Sequence, residues 1–389
     1  MGDPLSCESH REIHARKCSG HGSSGVDVDV HTSWEFLPWH RCFVHFHEQA
    51  LICVAKDCGV SDAENFRLPY WDWDAVCEIP EIYGTPGSPV HIDRKHPGLD
   101  ECITPTGLGS LLKPLVFEGS DGLGGGKEIP GTAYGSEPHV GIHMRIRPAM
   151  LSPDRAASDP LFYIHHANID RFAEIWARKH NLPVFGASCD LLDTPYTFPD
   201  RPSTCSAKYR IGDILKTESL GYNYHSYKCG IRIEGNPRPL EINGAASDKY
   251  LSLNHDSISM LTRLMELRAN RVSPPESSNP RRLTASTGVV YMKFDSGAVP
   301  YNHGGYSLFL ESKNTGQDKL LIGTVFSFVS PNTKLVRLSA TLAIAPKDLL
   351  HVGSGFRIQY KPRRKLGLGR AMYASADQIS MLATVLAPD

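Results

Sequence analysis

Six histidines in two sets of three carry the chemistry of this chain: His14, His31 and His40 early, then His139, His143 and His166. A metal ligand must be neutral, σ-donating and held at a fixed angle, and imidazole suits copper, zinc and iron alike. Each set is spread over different predicted helices or loops, so three nitrogens can converge on one ion without help from Asp or Glu. Three imidazoles with an open position suit a copper pair that binds dioxygen. The His-x-x-x-His spacing of His139 and His143 by itself fits zinc equally well, although the more specific His-Glu-x-x-His pattern is absent.

Neighbouring residues supply rivals and helpers. His165 and His166 cannot both reach one ion from a regular helix, so at least one of them is structural or supports a ligand from behind. His47, two turns past His40, is the main rival ligand, whereas His45 reads as an ordinary core or surface side chain. Asp170 lies four residues after His166, on the same helical side, where it can orient a ligand imidazole or else pair with Arg171 or Arg178 at the surface. Asn168 is a weaker helper of the same kind. Tyr70, Trp71 and Trp73 read as packing, and Cys18 as a buried thiol unless a special neighbour makes it reactive.

The elements that must position these groups follow from punctuation and periodicity. Residues 9–18 predict about two helical turns before Gly20, Gly22 and Gly25, which puts His14 and Cys18 on one face. A second helix is expected from about Pro38 to Lys56, with Phe43, Phe46, Leu51 and Val54 as its buried stripe. Recurring Gly and Pro from Glu78 to Gly126 predict loops. A third helical face carries His139 and His143. A fourth helix opens with Asp159 as N-cap and Pro160 at the first position and runs to about Lys179. Histidine-bearing helices with apolar flanks suggest a metal held inside a bundle. Residues 270–288, rich in Pro and Ser, read as a linker. The short β-rich runs 289–294, 306–310, 320–328, 338–344 and 355–360 then predict a small sandwich or barrel.

Composition sets the outer limits. At 389 residues, with roughly 150 per domain as a guide, two or more domains are expected. Lys plus Arg (41) and Asp plus Glu (42) nearly cancel, so nothing in the net charge argues for a nucleic acid, an anionic membrane or an acidic partner. No apolar run approaches the roughly 20 residues that cross a bilayer, and the N-terminus lacks a secretory apolar segment, so a soluble chain is expected. Ten cysteines over this length form neither a dense disulfide framework nor a Cys-x-x-Cys zinc pattern; Cys53, Cys58, Cys77 and Cys102 are candidates for disulfides whose pairing spacing leaves open.

Taken together, these stretches resemble the type-3 copper proteins, the tyrosinase, catechol oxidase and haemocyanin family, and most of all the plant polyphenol oxidases. The resemblance rests on His14-Ala-Arg-Lys-Cys18, on His31-Thr-Ser-Trp-Glu-Phe-Leu-Pro-Trp-His40, and on Leu68-Pro-Tyr-Trp-Asp-Trp-Asp74. His139-x-x-x-His143, Asp159-Pro-Leu-Phe-x-x-His-His166-Ala-Asn-Ile-Asp-Arg171 and Leu220-Gly-Tyr-Asn-Tyr224 extend it, and Lys293-Phe-Asp295 looks like the start of the family's C-terminal β-domain. It implies a mainly α fold: a four-helix-bundle di-copper catalytic domain with long loops over 1–269, the linker 270–288, and an all-β sandwich-like domain over 289–389 that shields the site. It implies two copper ions per chain, one on His14, His31 and His40 and one on His139, His143 and His166, with a Cys18–His31 thioether. The implied reaction oxidises small o-diphenols to o-quinones with O2 reduced to water; tyrosinase-type hydroxylation of monophenols, or oxygen binding without catalysis, are the alternatives.

The chain also departs from the family's pattern. Position 135 is Gly where plant members usually carry a glutamate, which leaves Glu137 as the nearest carboxylate and, with Asn168, as the candidate catalytic pair. Val140 stands where an asparagine would help a water act as base, and Pro153 where a bulky aromatic is frequent. These differences favour catechol oxidation over tyrosine hydroxylation. The resemblance implies a plastid, thylakoid-lumen location, yet no transit peptide precedes the early His14, so a truncated start or a lost import signal is expected. Cleavage in the linker is expected to raise activity.

Overall fold

The computed structural model describes residues 3–18, 29–73, 78–94, 123, 125–126, 129–130, 133, 139–146, 148–182, 185, 189–199, 208–227, 231–244, 250–269, 286–300, 306–313, 319–325, 334–344, 346–352, 355–362 and 372–388. Most of the expected linker and Glu137 lie outside them. Local hydrogen bonds start the first helix: Leu5 N–H donates to Asp3 Oδ1 (3.0 Å) in the turn before it, and Ser9 N–H donates to Ser6 Oγ (3.2 Å), satisfying a donor that a helix N-terminus leaves over. Helix α1 (Cys7–Cys18) then buries His10, His14 and Cys18 along one face.

Helix α2 (Phe36–Asp57) begins two residues before the expected Pro38, which is tolerated because a first-turn N–H has no partner in the helix. Its buried face runs through Phe36, Trp39, His40, Phe43, Phe46 and Ala50. Leu51 and Val54, expected on that stripe, are 38% and 39% exposed, because the buried row continues through Ala50 and Ile52 instead. Helix α3 (His139–Ile146) is short and almost wholly buried. Helix α4 (Leu161–His180) is buried from Leu161 to Ala177 and stops at Asn181, whose φ of 52° is a left-handed helix end. The helix starts one residue later than expected, with Pro160 as N-cap and Leu161 first, and Asp159 still serves that start: Leu161 N–H donates to Asp159 Oδ1 (2.9 Å), while the guanidinium of buried Arg94 neutralises the carboxylate.

One buried ionic cluster ties α2 to α4. Arg41 Nε donates to Asp170 Oδ1 (2.6 Å), and another Arg41 nitrogen donates to Glu174 Oε1 (2.7 Å). Asp170 Oδ2 accepts from the hydroxyls of Tyr222 (2.9 Å) and Tyr224 (2.5 Å). Asp170 was expected to orient a ligand imidazole or pair with Arg171 or Arg178. Both its oxygens are instead taken by Arg41 and the two tyrosines, because the carboxylate faces the groove between α2 and the 211–224 segment. Arg171 turns elsewhere, to Ser226 O (2.7 Å) and Asn168 Oδ1 (2.9 Å).

The remaining chain forms a second core. Strands β1 (Ile231–Leu240), β2 (Thr287–Pro300), β3 (Tyr306–Ser312), β4 (Lys319–Val325), β5 (Leu335–Ile344), β6 (Phe356–Pro362), β7 (Met372–Tyr373) and β8 (Ile379–Pro388) build two four-stranded sheets, ordered β5-β2-β8-β1 and β4-β3-β6-β7. Among the described residues all their pairings are antiparallel; Met381 of β8 faces Met292 on one side and Leu240 on the other. Five of these strands match expected runs in part, while β1, β7 and β8 were not anticipated.

This second core begins earlier in the chain than the expected boundary at residue 270. It includes Leu240, Leu251 and Leu253 as well as Leu261 and Leu264 of helix α5 (His255–Ala269). The approach of α5 to β2 is close: a Cβ on Gly288 would fall 2.8 Å from the Leu264 carbonyl oxygen, so only glycine fits there. Among the described residues no helix is long and apolar enough to cross a membrane.

Candidate metal centre

Both histidine trios assemble. His14 from α1, His31 from the turn Val30–Thr32 and His40 from α2 group with Cys18, each offering a ligand atom within 4.8 Å of the others. His139 and His143 from α3 and His166 from α4 form the second group, together with His165. The groups adjoin each other: the rings of His40 and His166 stack with centroids 4.3 Å apart and 8° between planes, and His31 lies 6.1 Å from His139. All six imidazoles are buried.

Outward hydrogen bonds hold the rings. Nδ1 of His14 donates to Pro153 O (2.7 Å), Nδ1 of His40 to Phe36 O (2.7 Å) and Nδ1 of His143 to Met150 O (3.0 Å). A carbonyl can only accept, so each of these rings carries its proton on Nδ1 and presents the Nε2 lone pair inward. At His14 and His40 that Nε2 is buried and makes no hydrogen bond, an arrangement that costs free energy unless a Lewis acid uses the lone pair. Nε2 of His143 lies 3.2 Å from Nε2 of His166. Asp29 supplies the carboxylate expected of Asp170: its Oδ1 accepts from the His31 backbone N–H (2.9 Å) and from Nδ1 of the same residue (3.1 Å).

Burial favours the uncharged form at His14, His40, His143 and His166. Desolvation, reinforced by His31, lowers the His14 pKa to about 3, and desolvation first, then neighbouring histidines, lowers those of His40, His143 and His166 well below the usual value. Neutral imidazole is the form that binds a metal, so no proton has to be displaced near neutral pH. Burial likewise raises the Cys18 thiol, which is free and fully buried beside the first trio. An all-nitrogen set of this geometry fits copper, and the two groups fit two copper sites.

Other expectations resolve differently. His47 belongs to neither group: its Nδ1 meets Nδ1 of His10 at 2.9 Å and its ring stacks on Tyr163 at 3.5 Å, because its position on α2 looks toward the start of α1. His45 bonds to the Tyr209 hydroxyl (2.9 Å). Asn168 is buried with its Oδ1 occupied by Arg171. Cys53 is disulfide-bonded, whereas Cys58 is free and exposed.

Two aromatic residues not singled out by the sequence reading close the centre. Phe36 packs on His139 (4.6 Å) and His40 (4.8 Å), and Phe162 on His166 (4.3 Å) and His14 (4.7 Å). Each precedes a site histidine by four residues on the same helix, a signal that was available in the spacing.

Comparison with known proteins agrees with this geometry. The family described as the common central domain of tyrosinase matches residues 5–110 and 116–179. A chloroplastic polyphenol oxidase of Malus domestica is 24% identical over 304 residues, 68% of this chain and 50% of that protein. The latent form of a chloroplastic polyphenol oxidase of Prunus armeniaca is 29% identical over 266 residues, 57% of this chain and 43% of that protein. The chain therefore spans about half the length of the curated relatives it matches. Among solved structures, latent apple tyrosinase superposes over 99% of this chain and 90% of its own, with a TM-score of 0.55 and 16% identity, which is a likeness of fold.

Proposed function

Since this chain belongs to the type-3 copper family, close to the plant polyphenol oxidases, we propose that it oxidises o-diphenols to o-quinones, consuming two catechols and one O2 and releasing two quinones and two waters. One copper is assigned to His14, His31 and His40 and the other to His139, His143 and His166. The observation that carries this reading is the meeting of two buried imidazole trios whose rings touch at His40 and His166. When bound, copper would supply the electron exchange with dioxygen. The protein's part is to hold Nε2 atoms inward through Pro153, Phe36 and Met150 carbonyls and to exclude water with Phe36 and Phe162.

Diphenols are favoured over monophenols. A monophenol needs a base for its proton, and Val140 beside His139 offers none, while the Asn168 carbonyl oxygen is engaged by Arg171. Glu137 is the base that any residual monophenol turnover would use. The test is copper content together with oxygen uptake on catechol and on tyrosine: two coppers and catechol-only turnover support the reading, and zinc in their place ends it.

Cys18 is assigned a thioether to His31. Forming that C–S bond removes two hydrogens, with O2 as oxidant, and fixes the imidazole orientation. Peptide mapping should find the two peptides joined, and Cys18→Ser should lose first-site copper more than stability; unchanged retention would count against the link.

The β-rich part is assigned a shielding role, as the word latent in a relative's name suggests. Because β1 and α5 pack in the second core, a cut within 270–285 leaves both halves of that core associated. Release requires a cut between Tyr227 and Ile231, and only that cut should raise the rate. A location in the plastid, carried over from both relatives' names, is part of the same proposal and is tested by fractionation.

A further inference from the structure

The second site has one histidine too many. His165 is fully buried, offers a nitrogen within 4.8 Å of those of His139, His143 and His166, stacks on His139 (5.7 Å, 9°) and meets His143 edge-on (5.1 Å, 82°). A fourth imidazole on that ion would fill the position that a closed, structural metal site fills and a catalytic one leaves open. Sequence spacing alone does not say which member of the His165–His166 pair is used.

The neighbour that decides is Trp73. Its indole Nε1–H points at His165 Nδ1 at 3.1 Å in a buried setting. Indole nitrogen only donates, so His165 Nδ1 must accept and the ring proton must sit on Nε2. Neither nitrogen then offers a free lone pair: that of Nδ1 is engaged by the indole, and Nε2, buried without a hydrogen-bond partner, carries the hydrogen. The indole is itself fixed from helix α4. Trp73 stacks on Phe172 (5.3 Å, 5°), its backbone N–H donates to Trp71 O (2.8 Å), and the Trp71 backbone N–H donates to Ile164 O (3.0 Å), the residue before His165.

We propose that Trp73 is a positioning residue that holds His165 in its Nε2–H form and so keeps the second site at three imidazoles; this rests on reading that site as a copper site. Trp73 does not touch the ion or the substrate. It acts through a ring that would otherwise compete for the open position.

Trp73→Phe retains the stack on Phe172 and removes only the donor. In metal-free full-length protein, 15N NMR of the histidine rings should show His165 as the Nε2–H tautomer, shifting toward Nδ1–H in Trp73→Phe. After copper loading in a His40→Ala background, which leaves a single paramagnetic copper at the second site, pulsed EPR should count three imidazoles with Trp73 and four with Trp73→Phe. Catechol oxidation by the Trp73→Phe protein should fall by roughly tenfold or more, the range seen when a ligand's supporting partner is lost. Adding His165→Phe should restore three imidazoles and recover most of the rate, which a merely structural loss would not do. An unchanged tautomer in Trp73→Phe, or four imidazoles in the protein that retains Trp73, would overturn the assignment. Failure of the wild-type protein to load copper would instead overturn the functional reading, because the tautomer is measured without metal.

Discussion

The two trios solve one problem by different means. The first gathers a helix, a short turn and a second helix, and its rings are pinned by groups distant in sequence: Pro153 O for His14 and Asp29 for His31. The second takes two ligands from one turn of α3 and one from α4, so helical spacing alone brings His139 beside His143 at 4.8 Å. The first site therefore depends on outside fasteners, and Cys18 lies where a covalent one would help. The second has ligands to spare, and its problem is exclusion, handled by Trp73.

The largest expected effect tests whether the sites are separable. His40→Ala should lose the first copper and abolish catechol turnover while the second copper stays, read by metal analysis; loss of both coppers would mean that the stacked His40–His166 contact makes them one unit.

Next comes the tie shared by both. Asp170→Asn leaves the Arg41 charge buried without its closest partner, at a cost of about 3–5 kcal/mol from the usual penalty for breaking a buried pair. Urea unfolding should show that loss, with the affinities of the two sites falling together. A selective loss at His166 would restore the ligand-orienting role first expected of Asp170.

A smaller effect should separate the sites again. Asp29→Asn is expected to weaken first-site copper by about 10–100-fold and leave the second untouched, as measured by competitive chelation.

The smallest effect concerns acid. His14, with a pKa near 3 in the fold and His10 and His45 near 4, take up protons more readily when unfolded, where the ordinary value is about 6.5. Unfolded chain thus binds more protons below that value, so the stability of the metal-free protein should be full above about pH 6.5 and fall progressively as the pH drops toward 3. Copper, by requiring neutral rings, should shift the loss to lower pH. A flat urea midpoint between pH 7 and 4 would contradict the burial of these rings.

Much of the centre was legible because its code is local. His139 and His143 share a face by spacing, Asp159 and Pro160 mark a helix start, and Phe36 and Phe162 stand one turn before their histidines. The C-terminal strands were legible from alternation where the run was long, as in β2 and β5. Strand β1 was missed because Ile231–Leu240 contains two prolines and takes its place from pairing with β8, more than a hundred residues later. The exposure of Leu51 and Val54 was missed because periodicity shows that a face is apolar without showing how far its partner extends.

The residues themselves determined the kind of chemistry: nitrogen donors in two trios, all but His31 on helices whose punctuation can be read directly. Only the tertiary structure shows which groups aim them. Pro153 and Met150 act through backbone carbonyls, which any residue type would carry, and Asp29 displaced Asp170 because hydrogen bonds form across space. The choice between His165 and His166 depends on an indole 92 residues away in sequence from the ring it holds, a contact that only folding can create.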